Sequence, residues 1–475
     1  MRRARNRNYR ARNRNYDGAM TKAARVAAIA LCAGLVAAVA GQLSGNFDLP
    51  LVSGGAPQAT HSAQPGNDGT DRAASSVPTV DELTARMAAV QDLLSARATA
   101  VKTRNKIAWM ATVDATASAF RGRQSVAFDN LIKLPLGEFS YGTVQLAPEL
   151  TSARAQRVGP NAWVAKVPGT YSLAGYDRAP RSFEATFTMV QRPGGWRIAD
   201  DSDGTTAMQM WDLPRMRVLR GRSTIVIGNA PAARMSDYKV TADSAVRRVT
   251  GVWGKDWNSH VVLVTPSTTE EFAKLVLRSA DAGLDQVAAI TQGVIDPGQR
   301  AQGDRVVINP KAFTALQSIG RRVVITHELT HVAARSSTTR QVPIWLSEGM
   351  ADFVGYSGLD LPRPVVAADL LTLVRKGNGP KALPTEADFD PSRTKIAPFY
   401  AASWLAVSRL DDLYGQAKLV AFYRSIAGGL TVNQAVGSDP DAMALQAFPK
   451  SFGVTEAKFV TGWKRYLTTL AQTRG

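Results

Sequence analysis

From residue 79 onward the apolar positions keep one period at a time. Leu83, Met87, Val90, Leu94 and Val101 recur at helical spacing behind "TVDE", in which Thr79 and Glu82 have the separation of a capping box. This predicts that the folded part opens with a helix, and a second helical piece is expected around Ile107 to Phe120. Strand-like runs follow in "FSYGTVQL", "AWVAKV", "TYSLAGY", "SFEATFTMVQR" and "WRIAD", the last two joined by the turn "PGG". Phe183, Ala185, Phe187 and Met189 alternate with polar neighbours, the pattern of a sheet with one covered face. Helices and then an antiparallel meander predict a small α+β domain over residues 79–205.

The regime changes near Leu213. "RVLRG", "STIVIG", "HVVLVT", "VAAIT" and "RVVIN" read as strands, with helices expected near Ser236 to Val252 and Glu270 to Leu277. After Phe313 the chain reads as almost wholly helical to its end. A mixed sheet followed by helices is thus predicted for residues 213–475, and the fold class of the whole is α+β. Two domains of this size suit a chain of 475 residues.

Ahead of residue 79 the pattern is different in kind. "VAAIALCAGLVAAVAG", residues 26–41, is apolar behind a basic flank and reads as a signal peptide, cleaved near Ala40, or as a membrane anchor. Residues 42–78, rich in Gly, Ser, Ala and Pro, predict a flexible linker in which His61 is bystander sequence. Residues 1–25 carry "RARNRNY" twice and hold nine basic residues against Asp17, close to half of the net charge of +18. Such a segment has no apolar face and predicts a disordered basic tail on the cytoplasmic side. Met20 offers an alternative start that would remove the repeat.

Because the charge is concentrated there, the high pI gives little support to a nucleic-acid partner, and none is expected. Cys32 lies in the apolar segment, and Leu31 before it is too bulky for a lipoprotein signal. The exported part therefore has no thiol or disulfide chemistry. The expected location is extracytoplasmic, with the membrane met only through residues 26–41. The sequence leaves the oligomeric state open.

Two of the four histidines fall in "THELTH". In a helix His327 and His331 project from one face about 6 Å apart along the axis and can share one cation, while Glu328 is rotated toward a metal-bound water. With four histidines in the chain, chance would place such a motif about once in a thousand sequences. A second signal stands 17 positions after His331, in "VPIWLSEGMADFVGY". Glu348 there completes a His, His, Glu set, which leaves a zinc ion an open position for water. Asp352, one turn later, can hydrogen-bond the far nitrogen of a ligand histidine. His260 opens a strand and reads as a strand-end residue.

"HELTH" together with "WLSEGMAD", which looks like a "WLxEGxA" signature, resembles the gluzincin, or peptidase MA-like, metallopeptidases over residues 213–475. The resemblance implies Zn2+ on His327, His331 and Glu348, with Glu328 as catalytic base. It also implies a substrate laid along a sheet edge just before the zinc helix, which would be "DRVVINP". A downstream tyrosine stabilises the oxyanion in many members; Tyr400 in "PFYAASWLAV" is the candidate, and a plain core aromatic is an equal alternative. The "GxMEN"-type motif of the aminopeptidase branch is absent, which argues for endopeptidase action. Residues 79–205, through "FDNLIKLPLGEFSY" and "GGWRIADD", resemble the nuclear-transport-factor-like (cystatin-like) domains, in which a curved sheet wraps a long helix. This part shows no convergent acid, base or metal group, so a structural or interaction role is expected. The combination is similar to actinobacterial exported proteins.

Two functions of different class follow. One is an exported zinc metallopeptidase acting on a protein or peptide substrate. The other is an envelope-anchored interaction protein whose peptidase domain is weakly active or inactive.

Overall fold

The computed structural model describes residues 79–473 apart from 148–149, 160, 205, 278–283, 285–286, 294–299, 391–395 and 429–438. The basic tail, apolar segment and linker lie outside the described residues. Among those described, no helix is long and apolar enough to cross a membrane.

Helix α1 (Val80–Lys102) starts at a capping box: the Glu82 N–H donates to Thr79 Oγ1 at 3.2 Å and the Thr79 N–H to Glu82 Oε2 at 2.8 Å. The helix expected over Ile107 to Phe120 is split into α2 (Lys106–Ala111) and α3 (Ser118–Leu131). Its middle is taken by a strand partner, since the Asp114 N–H donates to Ile198 O and the Ile198 N–H to Thr112 O, each at 2.9 Å. Asp114 then turns the chain by accepting from the Thr116 N–H at 3.2 Å.

Strands β1 (Leu136–Tyr141), β2 (Gln145–Leu146), β3 (Trp163–Leu173), β4 (Arg181–Arg192) and β5 (Gly195–Asp200), with a short helix α4 (Ser152–Val158) before β3, form an antiparallel sheet. The order is β1-β3-β4-β5, and β2 also pairs with β3. "AWVAKV" and "TYSLAGY" join into one strand through Pro168. The Pro168 carbonyl accepts from the Gly142 N–H at 2.7 Å, so the missing proline N–H faces Gly142 just past the end of β1 and costs only the reciprocal bond of that terminal pair. Val90 and Leu94 of α1 pack under the sheet against Ala165, Phe187, Met189 and Ile198.

The second sheet has the order β6-β7-β8-β10-β9, from β6 (Arg217–Arg220), β7 (Thr224–Gly228), β8 (Val261–Thr265), β9 (Ala289–Gln292) and β10 (Arg305–Ile308). β7, β8 and β10 run parallel, while β6 and β9 pair antiparallel at the two edges. β7 and β8 are buried at every position, as central parallel strands covered on both faces must be. Helix α5 (Ala232–Trp253) connects them and buries Met235, Tyr238, Ala242, Val246, Val249 and Trp253 at helical spacing. Helix α6 (Thr269–Leu275) follows β8.

The remainder of the described chain is helical. α7 (Pro310–Ala315), α8 (Ser318–Ser337) and α9 (Ile344–Tyr356) come first, then α10 (Arg363–Val366), α11 (Ala368–Arg375), α12 (Ala397–Tyr414), α13 (Gln416–Ala427), α14 (Pro440–Phe452) and α15 (Glu456–Gln472). The chain is thus α+β, an antiparallel domain followed by a mixed sheet and a helical part.

The two parts share one hydrophobic core, which runs from Trp109, Phe128 and Tyr171 through Trp211 to the helices around Trp345. The β3–β4 turn is the polar half of this junction. Asp177 in that turn forms a two-pronged ion pair with Arg305 of β10, at 2.6 and 2.7 Å, with the side chains 0% and 2% exposed. The Arg178 N–H donates to Gln302 O at 2.9 Å, and its guanidinium reaches Ser336 O at the end of α8. Breaking a buried pair from one side strands the other charge, at about 3–5 kcal/mol. Asp177→Ala is therefore expected to lower unfolding stability in urea by that amount; a loss under about 1 kcal/mol would show that the junction contributes little.

Candidate metal centre

Helix α8 is long and amphipathic, and its interior carries no proline, so residues four apart stack on one face. It runs against α9, and the two bring His327, His331 and Glu348 together, with exposures of 0%, 2% and 0%. His327 Nε2 lies 3.1 Å from His331 Nε2 and 3.3 Å from Glu348 Oε2, and His331 Nε2 lies 3.5 Å from Glu348 Oε1. Gly349 permits the next layer: a side chain there would strike the Ser403 carbonyl, so its absence lets α12 seat closely behind Glu348.

Both carboxylate oxygens of Glu348 are buried without a hydrogen-bond partner. Such a group is strongly disfavoured in a packed interior unless a cation meets it. The two histidine nitrogens approach different oxygens of the one carboxylate, and a ligand atom from each of the three residues lies within 4.8 Å of the others, compact enough to close on a single ion. Two imidazole nitrogens and one carboxylate fit zinc by both chemistry and spacing.

Electrostatics agree. Burial alone would raise the Glu348 carboxyl, but His331 and His327 beside it outweigh burial and hold it down at about 2. Burial alone would lower His327, yet its hydrogen bond to Asp352 and the nearby Glu348 carboxylate bring the imidazole well above its ordinary range. His327 Nδ1 is 2.8 Å from Asp352 Oδ1. That contact orients the ring and leaves Nε2 turned toward His331 and Glu348.

Glu328, 1% exposed, follows His327 on α8. Its carboxylate Oε2 accepts from Thr291 Oγ1 at 2.7 Å, and its backbone carbonyl lies 3.1 Å from the same hydroxyl. Thr291 comes from β9, 37 residues away, and nothing in the local sequence marks it. Tyr423 of α13 was equally silent in the sequence. Burial and the nearby Glu348 charge raise its hydroxyl, against a hydrogen bond to Ser347. Tyr400 lies in the first turn of α12, 2% exposed, its ring edge-on to Phe389 at 4.9 Å. The oxyanion role of Tyr400 rests on the family resemblance alone.

One expectation is corrected. "DRVVINP" is not a sheet edge, because β10 lies between β8 and β9. After β9 the chain reverses and returns as β10 antiparallel to it, which leaves β9, "AITQ", as the edge strand among the described residues, in contact with α8. His260 is exposed at the start of β8, its ring against Tyr176.

Among known proteins, no family model matches the chain and no curated protein matches it. Solved structures are similar to it, two of them as follows. One is a two-domain M1 zinc metallopeptidase, a glutamate-to-alanine variant bound to L-arginine, at 13% identity and a TM-score of 0.29, covering 66% of this chain and 62% of that one. The other is an M1 zinc metallopeptidase variant of the same kind from Deinococcus radiodurans, at 12% identity and a TM-score of 0.30, with the same coverage. The chain spans under two thirds of the length of each. At that level of likeness the functional reading is left to the side chains themselves.

Proposed function

We propose that the chain is a zinc-dependent peptidase. The observation that carries this is the buried meeting of His327, His331 and Glu348, with both oxygens of Glu348 lacking any other partner. Zinc bound there would polarise a substrate carbonyl and bring the pKa of a bound water to about 7. Glu328, beside the ligands but not among them, takes a proton from the attacking water and returns it to the leaving amine. Asp352 holds the His327 ring during this cycle. An enzyme that grips a free amino terminus needs an anionic group to meet the ammonium. The "GxMEN"-type motif by which the aminopeptidase branch does this is absent from the sequence, which supports endopeptidase action.

Casein cleavage by the purified chain should disappear on chelation and return with zinc. A chain that holds one zinc but cleaves no protein or peptide pool would instead support the second reading, an interaction protein on a peptidase scaffold. The apolar segment at residues 26–41 supports export, so an alkaline phosphatase fused after Ser75 should be active; an inactive fusion would refute export.

A further inference from the structure

We propose that Thr291 is a positioning residue that holds Glu328 for proton transfer, an inference that rests on the peptidase reading above. A glutamate side chain has three rotatable bonds, and a base is useful only when one carboxylate oxygen faces the water it deprotonates. The Thr291 hydroxyl has a single proton and two acceptors in reach, Glu328 Oε2 at 2.7 Å and Glu328 O at 3.1 Å. The shorter contact is to the ionised group, and bonds to charged acceptors are the stronger kind. With Oε2 so engaged, Oε1 is the oxygen that takes the proton.

Thr291 suits this task. It is 4% exposed, its branched side chain is stiff, and its backbone is fixed in register with Val306 of β10. Its strand position adds a second property. The Asn309 N–H donates to Ala288 O at 2.9 Å, so Ala288 and Asn309 form a bonded pair. Antiparallel ladders alternate, which makes Ile290 and Gln292 the next residues bonded to β10 and turns the N–H and C=O of Thr291 toward the open edge. One residue thereby offers its backbone to an extended substrate and its hydroxyl to the base.

Thr291→Val keeps shape and burial but removes the donor, while Thr291→Ser keeps the donor. The valine variant should lose about 10- to 100-fold in kcat, part of the general-base contribution, with KM and zinc content unchanged, and serine should restore most of it. A valine variant with the parent's kcat, or a serine variant as impaired as valine, overturns the proposal. Parent and Glu328→Gln run in the same assay keep the two readings apart, because an inactive parent refutes the peptidase reading alone. The contact is then decided by urea unfolding of Thr291→Val, Glu328→Ala and the double variant. Coupling of about tenfold or more in the unfolding equilibrium supports it, and additive effects overturn it.

Discussion

Replacing Glu328 with glutamine is expected to leave a folded, zinc-loaded protein that hydrolyses almost nothing. Glutamine keeps the size of glutamate and can still accept from Thr291 Oγ1, which in the parent lies 2.7 Å from the carboxylate. It cannot take a proton. The cluster of His327, His331 and Glu348 is untouched, so metal content and melting temperature should match the parent. General-base losses are about 10²- to 10⁴-fold, and kcat should fall within or beyond that range. Wild-type cleavage by Glu328→Gln, on a substrate the parent cuts, would mean that some other group does the chemistry.

The second large effect concerns His327, where metal and stability are coupled. On the proposed assignment zinc would bind the folded chain through ligands from two helices and should stabilise it by mass action, about 4 kcal/mol at a free concentration a thousandfold above Kd. Added zinc should therefore raise the melting temperature of the metal-free parent and leave His327→Ala unmoved. The variant should also be the weaker fold without metal. Glu348 and Asp352 lie beside His327, with side chains 0% and 5% exposed, and its removal leaves both buried carboxyls without that polar neighbour. A His327→Ala protein that still gains stability from zinc would show that the ion sits elsewhere.

What the sequence made legible was local. Residues 327, 328, 331, 348 and 352 fall into place once two helices are read, because helical spacing alone puts each set on one face. The capping box at Thr79 and the "PGG" turn are local in the same sense. Sheet order is not. Nothing within "AITQ" or "RVVIN" states that the first lies outside the second; that follows from a reversal between them, and with it the edge assignment moved to β9. Thr291 was invisible for the same reason, as was the Asp177 to Arg305 pair, which spans 128 residues. The break in the second helix was also non-local, since Val113 and Asp114 leave helical geometry to meet Ile198 of β5. In each case a partner far along the chain overrode the local period.

The central claim is that His327, His331 and Glu348 form one zinc site, and calorimetric titration of the metal-free protein with zinc tests it most directly. Asp352 and Glu348 raise His327, and a metal ligand must be deprotonated, so zinc competes with a proton there and its affinity should weaken as pH falls. The account predicts one zinc per chain, with proton release seen as a heat that changes with the ionisation enthalpy of the buffer, and no binding to His331→Ala. A folded parent that takes up no zinc, or a His331→Ala variant that binds it as the parent does, would contradict it.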